Sequence, residues 1–287
     1  MDYTNMLQSE KRGLLTEDLK VFHLQDQIVK DFEYHYHEFN KIIIFMRGNV
    51  TYMIEGKAYK LRPWDILVIN HSQIHKPIID PSEEYERFII WFDPNKIALH
   101  NREDVNLLSC FELAASWEVN LLRLSVDPLK KVRFIVDQFM EAEKEREFGH
   151  EILKNALLIQ LLIILNRSSI KSERAPHIKD IQFNKNITSV LSYINHNLEN
   201  DLSIPTLAAK FYMSKYHLMR KFKAQTGYTI HQYILQKRLL LAKSMLTERS
   251  SITEICQNAG FNDYSSFVRA FKKEFGLSPR EYLKVRR

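Results

Sequence analysis

The sequence predicts an α+β chain: an N-terminal antiparallel β-barrel, a helical segment, and a C-terminal all-helical domain with two helix-turn-helix units. Three observations predict it. Short β-branched and aromatic runs separated by turn residues occupy residues 1–115. Apolar residues then recur at helical spacing from Pro128 onwards, and residues 187–287 contain an internal repeat. A chain of 287 residues with 45% hydrophobic content is long enough to bury two separate cores.

The strands come first. Lys41 to Phe45, Val50 to Ile54, Ala58 to Leu61, Ile66 to Ile69 and Phe88 to Phe92 are the candidate runs. Arg47-Gly48-Asn49, Glu55-Gly56-Lys57, Arg62-Pro63 and Asp80-Pro81 supply the turns between them. Residues 116–166 are expected to be helical. Pro128 to Phe148 places Leu129, Val132, Ile135, Val136, Phe139 and Met140 on one stripe. Glu151 to Leu165 is apolar almost all round, which suits either a second copy of the chain against its free face or an ordinary buried helix. The polar stretch 167–186, with Ser168, Ser169, Lys171 to Arg174 and Pro176, reads as a linker.

Charge is divided unevenly. Residues 186–287 hold 16 Lys/Arg against 7 Asp/Glu, a net of +9, while the remainder holds 25 against 28. A basic third on an acidic body fits a nucleic-acid partner, and solvated helix faces alone produce the same balance. Cys110 and Cys256 lie far apart and match no metal spacing, as expected of a reduced intracellular protein. The polar Met1 to Lys20 lacks the apolar core of a secretory signal, and the run Ala156 to Leu165 is too short to span a bilayer. A cytoplasmic protein without a membrane partner is the expectation.

The repeat carries the functional reading. Leu207-Ala208 corresponds to Ile255-Cys256, and Met213-Ser214 to Phe261-Asn262. With one extra residue in the second copy, Leu218, Arg220, Phe222-Lys223, Gly227 and Tyr233 align with Phe267, Arg269, Phe271-Lys272, Gly276 and Tyr282. In each copy a short amphipathic helix (Ile204–Phe211, Ile252–Ala259) ends at a tight turn. Gly260 supplies a left-handed residue in the second turn, and Tyr212 has to serve in the first. Ser214, and Asn262 or Asp263, are the N-cap candidates for the following helix, which stops at Gly227 or Gly276. That second helix turns apolar residues inward and basic ones outward, as a major-groove reading helix does. Tyr233 to Leu246 reads as the apolar helix joining the copies. Arg238 on it is placed either against DNA phosphate or on a solvated edge.

These residues resemble the DNA-binding domain of AraC-type (arabinose-regulator family) transcription activators. The resemblance is carried by Gly260-Phe261-Asn262-Asp263-Tyr264-Ser265-Ser266-Phe267-Val268-Arg269-Ala270-Phe271-Lys272-Lys273, then Phe275-Gly276-Leu277-Ser278-Pro279 and Tyr282. It implies that Lys215, Tyr216, Met219 and Arg220 face the groove in the first copy, with His217 at the edge. Tyr264, Ser265, Val268 and Arg269 take that place in the second. Arg220 and Arg269 are expected on guanine or on phosphate, and Ser214, Lys223, Asn262, Lys272 and Lys273 complete the contact set. The resemblance also implies double-stranded promoter DNA and RNA polymerase as partners, and a homodimer.

His35-Tyr36-His37, Pro63-Trp64-Asp65-Ile66 and His75-Lys76-Pro77 resemble a cupin, the effector-binding barrel at the front of such regulators. The resemblance implies an activator that answers to a small-molecule effector, with His35, His37, Arg47, Trp64 and His75 lining the pocket. A barrel retained only for dimerisation is the plainer alternative. A metal-dependent cupin enzyme fused to a DNA-binding domain is the alternative of another class, since converging imidazoles hold divalent metals. Enzymatic cupins add a glutamate after the paired histidines, and here Lys41 occupies that position. No metal and no cofactor are therefore expected, and no catalytic residues are assigned.

Overall fold

A computed structural model describes residues 15, 17–27, 32–145, 147–171, 181–246 and 251–285. The chain divides into two compact units, Met1–Ile54 with Ala58–Gln182, and Phe183–Arg287 with Glu55–Lys57.

The first unit is built from strands β1 (Leu19–Asp26), β2 (Asn40–Arg47), β3 (Val50–Ile54), β4 (Lys57–Lys60), β5 (Ile66–Ile69), β6 (His75–Ile79), β7 (Tyr85–Phe92), β8 (Leu121–Leu122) and β9 (Ile181–Gln182). One sheet has the order β1-β7-β2-β5-β8 and the other β6-β3-β4-β9. Every strand pair described is antiparallel.

The Ile42-Ile43-Ile44-Phe45 run is uninterrupted because β2 is buried on both faces. Ile43 and Phe45 point into the space between the sheets with Leu67, Ile69, Ile89 and Trp91. Ile42 and Ile44 point the other way, with Ile66, Val68, Phe88, Ile90 and Phe92. That outer face is covered by helices α1 (Pro94–Ala98), α2 (Ser109–Ser116), α3 (Val126–Glu145) and α4 (His150–Ile170). Phe111, Val132, Ile135, Phe139 and a leucine row on α4 (Leu157, Leu158, Leu161, Leu162, Leu165) close the core.

By length and composition the whole of α4, longer than the apolar run within it, is apolar enough to cross a membrane. Leu157, Leu158, Leu161, Leu162 and Leu165 are nevertheless inside the protein, each at most 4% exposed. The linker expected over 167–186 is corrected at both ends. Helix α4 continues to Ile170, and Ile181–Gln182 pairs with β4 as β9. Residues 172–180 of that stretch, with Pro176, lie outside the described residues, as does Met1 to Leu14 at the start of the chain.

The second unit is helical: α5 (Lys185–His196), α6 (Ile204–Lys210), α7 (Lys215–Thr226), α8 (Ile230–Met245), α9 (Ile252–Asn258), α10 (Tyr264–Phe275) and α11 (Pro279–Val285). Each helix from α5 to α10 starts on a side-chain cap: Asn184, Ser203, Ser214, Thr229, Ser251 and Asp263. Helix α8 serves two cores. Its beginning buries Ile230 and Tyr233, the latter edge-on to Phe222, and its end buries Leu239, Ala242 and Leu246 with Ile255, Phe267 and Phe271.

Candidate nucleic-acid interface and barrel histidine cluster

The two copies of the repeat fold alike down to individual hydrogen bonds. In the first turn the Met213 N–H donates to the Ala208 carbonyl at 2.9 Å, and in the second Phe261 donates to Cys256 at 2.9 Å. Tyr212 takes φ 52° and Gly260 φ 83°, so both turns use the left-handed conformation that the sequence demanded of them. Glycine is required at the second. A Cβ on Gly260 would stand 2.1 Å from the Leu198 carbonyl oxygen. Both reading helices end on left-handed glycines, Gly227 at φ 76° and Gly276 at φ 78°.

On α7, Leu218 and Phe222 are fully buried, while Lys215, Tyr216, Met219, Arg220 and Lys223 are exposed. On α10, Phe267 and Phe271 are fully buried, while Tyr264, Ser265, Arg269, Lys272 and Lys273 are exposed. The Arg220 guanidinium lies 5.8 Å from the centroid of the Tyr216 ring. Arg269 donates to the Ser265 carbonyl at 3.4 Å and to Ser266 Oγ at 3.3 Å. His217 is half-buried, and the half-buried Val268 packs on the second core.

Ser214 Oγ accepts from the His217 N–H at 3.3 Å, which makes it the cap of α7. For α10 the cap is Asp263, which accepts from Ser266 N–H at 2.6 Å, and Asn262 stands exposed beside it. Arg238 is drawn onto its own unit. Its Nε donates to the Leu198 carbonyl and another guanidinium nitrogen to that of Asn200, both at 2.8 Å, tying α8 to the loop before α6. The sequence reading missed His231 at the start of α8. With Tyr216, Met219 and Arg220 it lines a concavity of about 610 Å³, and no periodicity marks it.

In the barrel unit, His35, His37 and His75 come together, with their donor atoms all within 4.8 Å of one another. The segments carrying them are cross-linked. His35 N–H donates to the His75 carbonyl at 3.1 Å, His75 N–H returns a bond to His35 at 2.9 Å, and Ser72 N–H reaches the His37 carbonyl at 2.8 Å. The His37 ring stacks on Phe39 at 4.5 Å. Burial holds His37 well below the usual histidine range, and the charges of Lys41, His75 and His35 push the same way. His75 is lowered chiefly by burial, then by His35 and Lys41, against a raising hydrogen bond to Gln73.

Lys41, 2% exposed, is itself brought down to about 7, by burial first and Arg87 second. A large share of it is therefore uncharged at neutral pH. A cavity of about 20 Å³ adjoins the cluster, lined among others by Phe32, His35, Lys41, Tyr52 and Arg87. Of these, Tyr52, Arg87 and Phe32 were not foreseen, because strand spacing alone does not say which strands cross near the histidines.

Two expected pocket residues lie elsewhere. Arg47 ends β2 in solvent, paired with Glu84. Trp64, at φ 71°, packs on the helix-covered side of the sheet beneath the Arg133 guanidinium, 4.4 Å from the ring centroid. Asp65 next to it is buried and takes a bidentate ion pair from Arg123, at 2.8 and 2.9 Å.

An antiparallel barrel unit joined to a helical unit with two equivalent helix-turn-helix copies defines a DNA-binding transcription regulator with a ligand-binding domain. Residues 21–107 match the AraC-like ligand binding domain, and residues 207–285 match a helix-turn-helix domain. Together the two matches cover the two parts expected of an AraC-type transcription regulator. It is similar to the HTH-type transcriptional activator RhaR of Yersinia pseudotuberculosis serotype O:3 (strain YPIII), at 25% identity over 96% of this chain and 93% of that protein. It is also similar to the HTH-type transcriptional activator RhaS of Escherichia coli O139:H28 (strain E24377A / ETEC), at 24% identity over 88% of this chain and 87% of that one. Among solved structures, the C-terminal domain of AraT, a response regulator from Geobacillus stearothermophilus, aligns with 36% of this chain and 86% of its own, at 25% identity and a TM-score of 0.34.

Proposed function

We propose that α7 and α10 enter successive major grooves of promoter DNA, and that Arg220 and Arg269 read bases there. The observation that supports this is their equivalence. In both copies an exposed arginine stands on a helix whose opposite face is fully buried. Tyr216, Met219, Tyr264, Ser265 and the accessible edges of His217 and Val268 complete the reading surface. Ser214, Lys215, Lys223, Asn262, Lys272 and Lys273 hold phosphates. Arg238 is left out, because its guanidinium is spent on Leu198 and Asn200.

We extend to this chain the activator role carried in the names of RhaR and RhaS, acting on RNA polymerase in the cytoplasm. The protein is proposed to work as a homodimer through the outer side of α4, where Ile152, Ala156, Ile159, Ile163 and Ile170 recur at helical spacing. Ile152 and Ile170 are 76% and 63% exposed there. A small-molecule effector is proposed to bind at His35, His37 and His75, without Arg47 or Trp64. It shifts the protein between states only by as much as it binds them differently.

Selection of randomised duplex DNA by the full-length protein, at about 150 mM salt, tests the DNA reading. Two enriched boxes about one helical turn apart are expected. One box would assign base reading to a single helix. No enrichment, with or without residues 1–186, would overturn the proposal.

A further inference from the structure

We propose that His35, His37 and His75 form a three-histidine site for a divalent transition-metal ion of the zinc class. Their donor atoms already lie within 4.8 Å of one another, and the ring centroids form a near-regular triangle of 4.5, 4.9 and 5.2 Å. Two of the rings are oriented from behind. His35 Nδ1 lies 3.0 Å from the Glu33 carbonyl oxygen, and His75 Nδ1 lies 2.8 Å from that of Gln73. A carbonyl only accepts, so each Nδ1 carries the proton and each Nε2 presents a lone pair, the arrangement found behind metal-bound imidazoles.

His37 and His75 are 3% and 1% exposed, yet neither nitrogen of His37 has a hydrogen-bond partner, nor does Nε2 of His75. Buried polar atoms left in this state cost stability unless something supplies the missing contact. A water offers two protons to three converging rings. A divalent cation accepts all three lone pairs together, and three histidines with one open position is a familiar zinc coordination.

The adjoining cavity of about 20 Å³, which His35 lines, has room for one water-sized molecule beside the cluster. The metal site stands on the barrel geometry. In naming the chemistry of the bound species it deepens, and to that extent rests on, the effector reading.

The test uses untagged full-length protein, stripped with chelator, incubated with Zn²⁺, desalted and assayed for metal. About one equivalent per chain is expected to remain. His37→Gln and His75→Gln are expected to fall below about a tenth of an equivalent, and His100→Ala, at an exposed position, is expected to keep the metal. Loading the wild type with Co²⁺ gives a readout that needs no variant to fold. The intense visible absorption of a four-coordinate imidazole site is expected, and a weak six-coordinate spectrum would overturn the assignment. So would wild-type retention below a tenth, or full retention in the two glutamine variants. None of these outcomes alters the DNA selection, which is scored separately on the stripped protein.

Discussion

At the residue scale, the arginine pair separates base reading from simple attraction to DNA. Arg269→Ala is expected to cost about 1–3 kcal/mol of specific binding and to relax the preference at one base position. A uniform loss over all sequences would assign Arg269 to phosphate. Lys273→Ala is expected to lower the salt slope of binding by about one with the preferred sequence unchanged, as measured by titration at several ionic strengths. Away from the interface, Arg123 compensates the buried Asp65 carboxylate through two hydrogen bonds. Arg123→Ala leaves that charge unpaired and is expected to destabilise the barrel unit by about 3 kcal/mol in denaturant unfolding. Asp65→Asn in the same background should recover part of the loss, because the stranded charge is then gone.

At the element scale, the two turns of the repeat differ in a way that predicts opposite responses. Gly260 faces a carbonyl oxygen with no space for a side chain, so Gly260→Ala is expected to disrupt the second unit. Tyr212 holds a left-handed conformation with its side chain 97% exposed, so Tyr212→Gly is expected to stabilise by about 1 kcal/mol in thermal or denaturant unfolding. The repeat was legible in the sequence because caps, turn residues and buried phenylalanines are local signals, and most of them recur in both copies. Val50–Ile54 and Ile66–Ile69 were legible for the same reason, each being a compact apolar run between turns. Strand β1 was not: Lys20, His23 and Gln25 interrupt its apolar residues on both faces, so neither face shows a clean alternation. Strands β8 and β9, two residues each, exist only because a partner strand is there to pair with them. The histidines could be read as a motif, but their convergence depends on which strands meet. Arg47 and Trp64 were misplaced because both follow directly on barrel strands or turns, where one residue decides which side a chain faces.

At the scale of the whole molecule, the solvent side of α4 offers the association test. The double variant Ile152→Asp with Ile170→Asp changes exposed positions, so the fold should survive. It is expected to convert a dimer to a monomer in sedimentation velocity, and an unchanged dimer would move the contact elsewhere. The shared wall of the barrel unit has a mechanical meaning as well. Strands β2, β5 and β7 carry buried residues on both faces, so the wall acts as a plate clamped between two solids. Lys41 begins the inward row of β2, and Ile42 and Ile44 form its outward row. The small cavity at the histidine end is bordered by Lys41, Arg87 and Ile89 of that plate, so a strain applied there bears directly on the strands that seat α3 and α4. Deformation sensed on one side of that plate is thereby delivered to the helix proposed to hold two copies of the chain together.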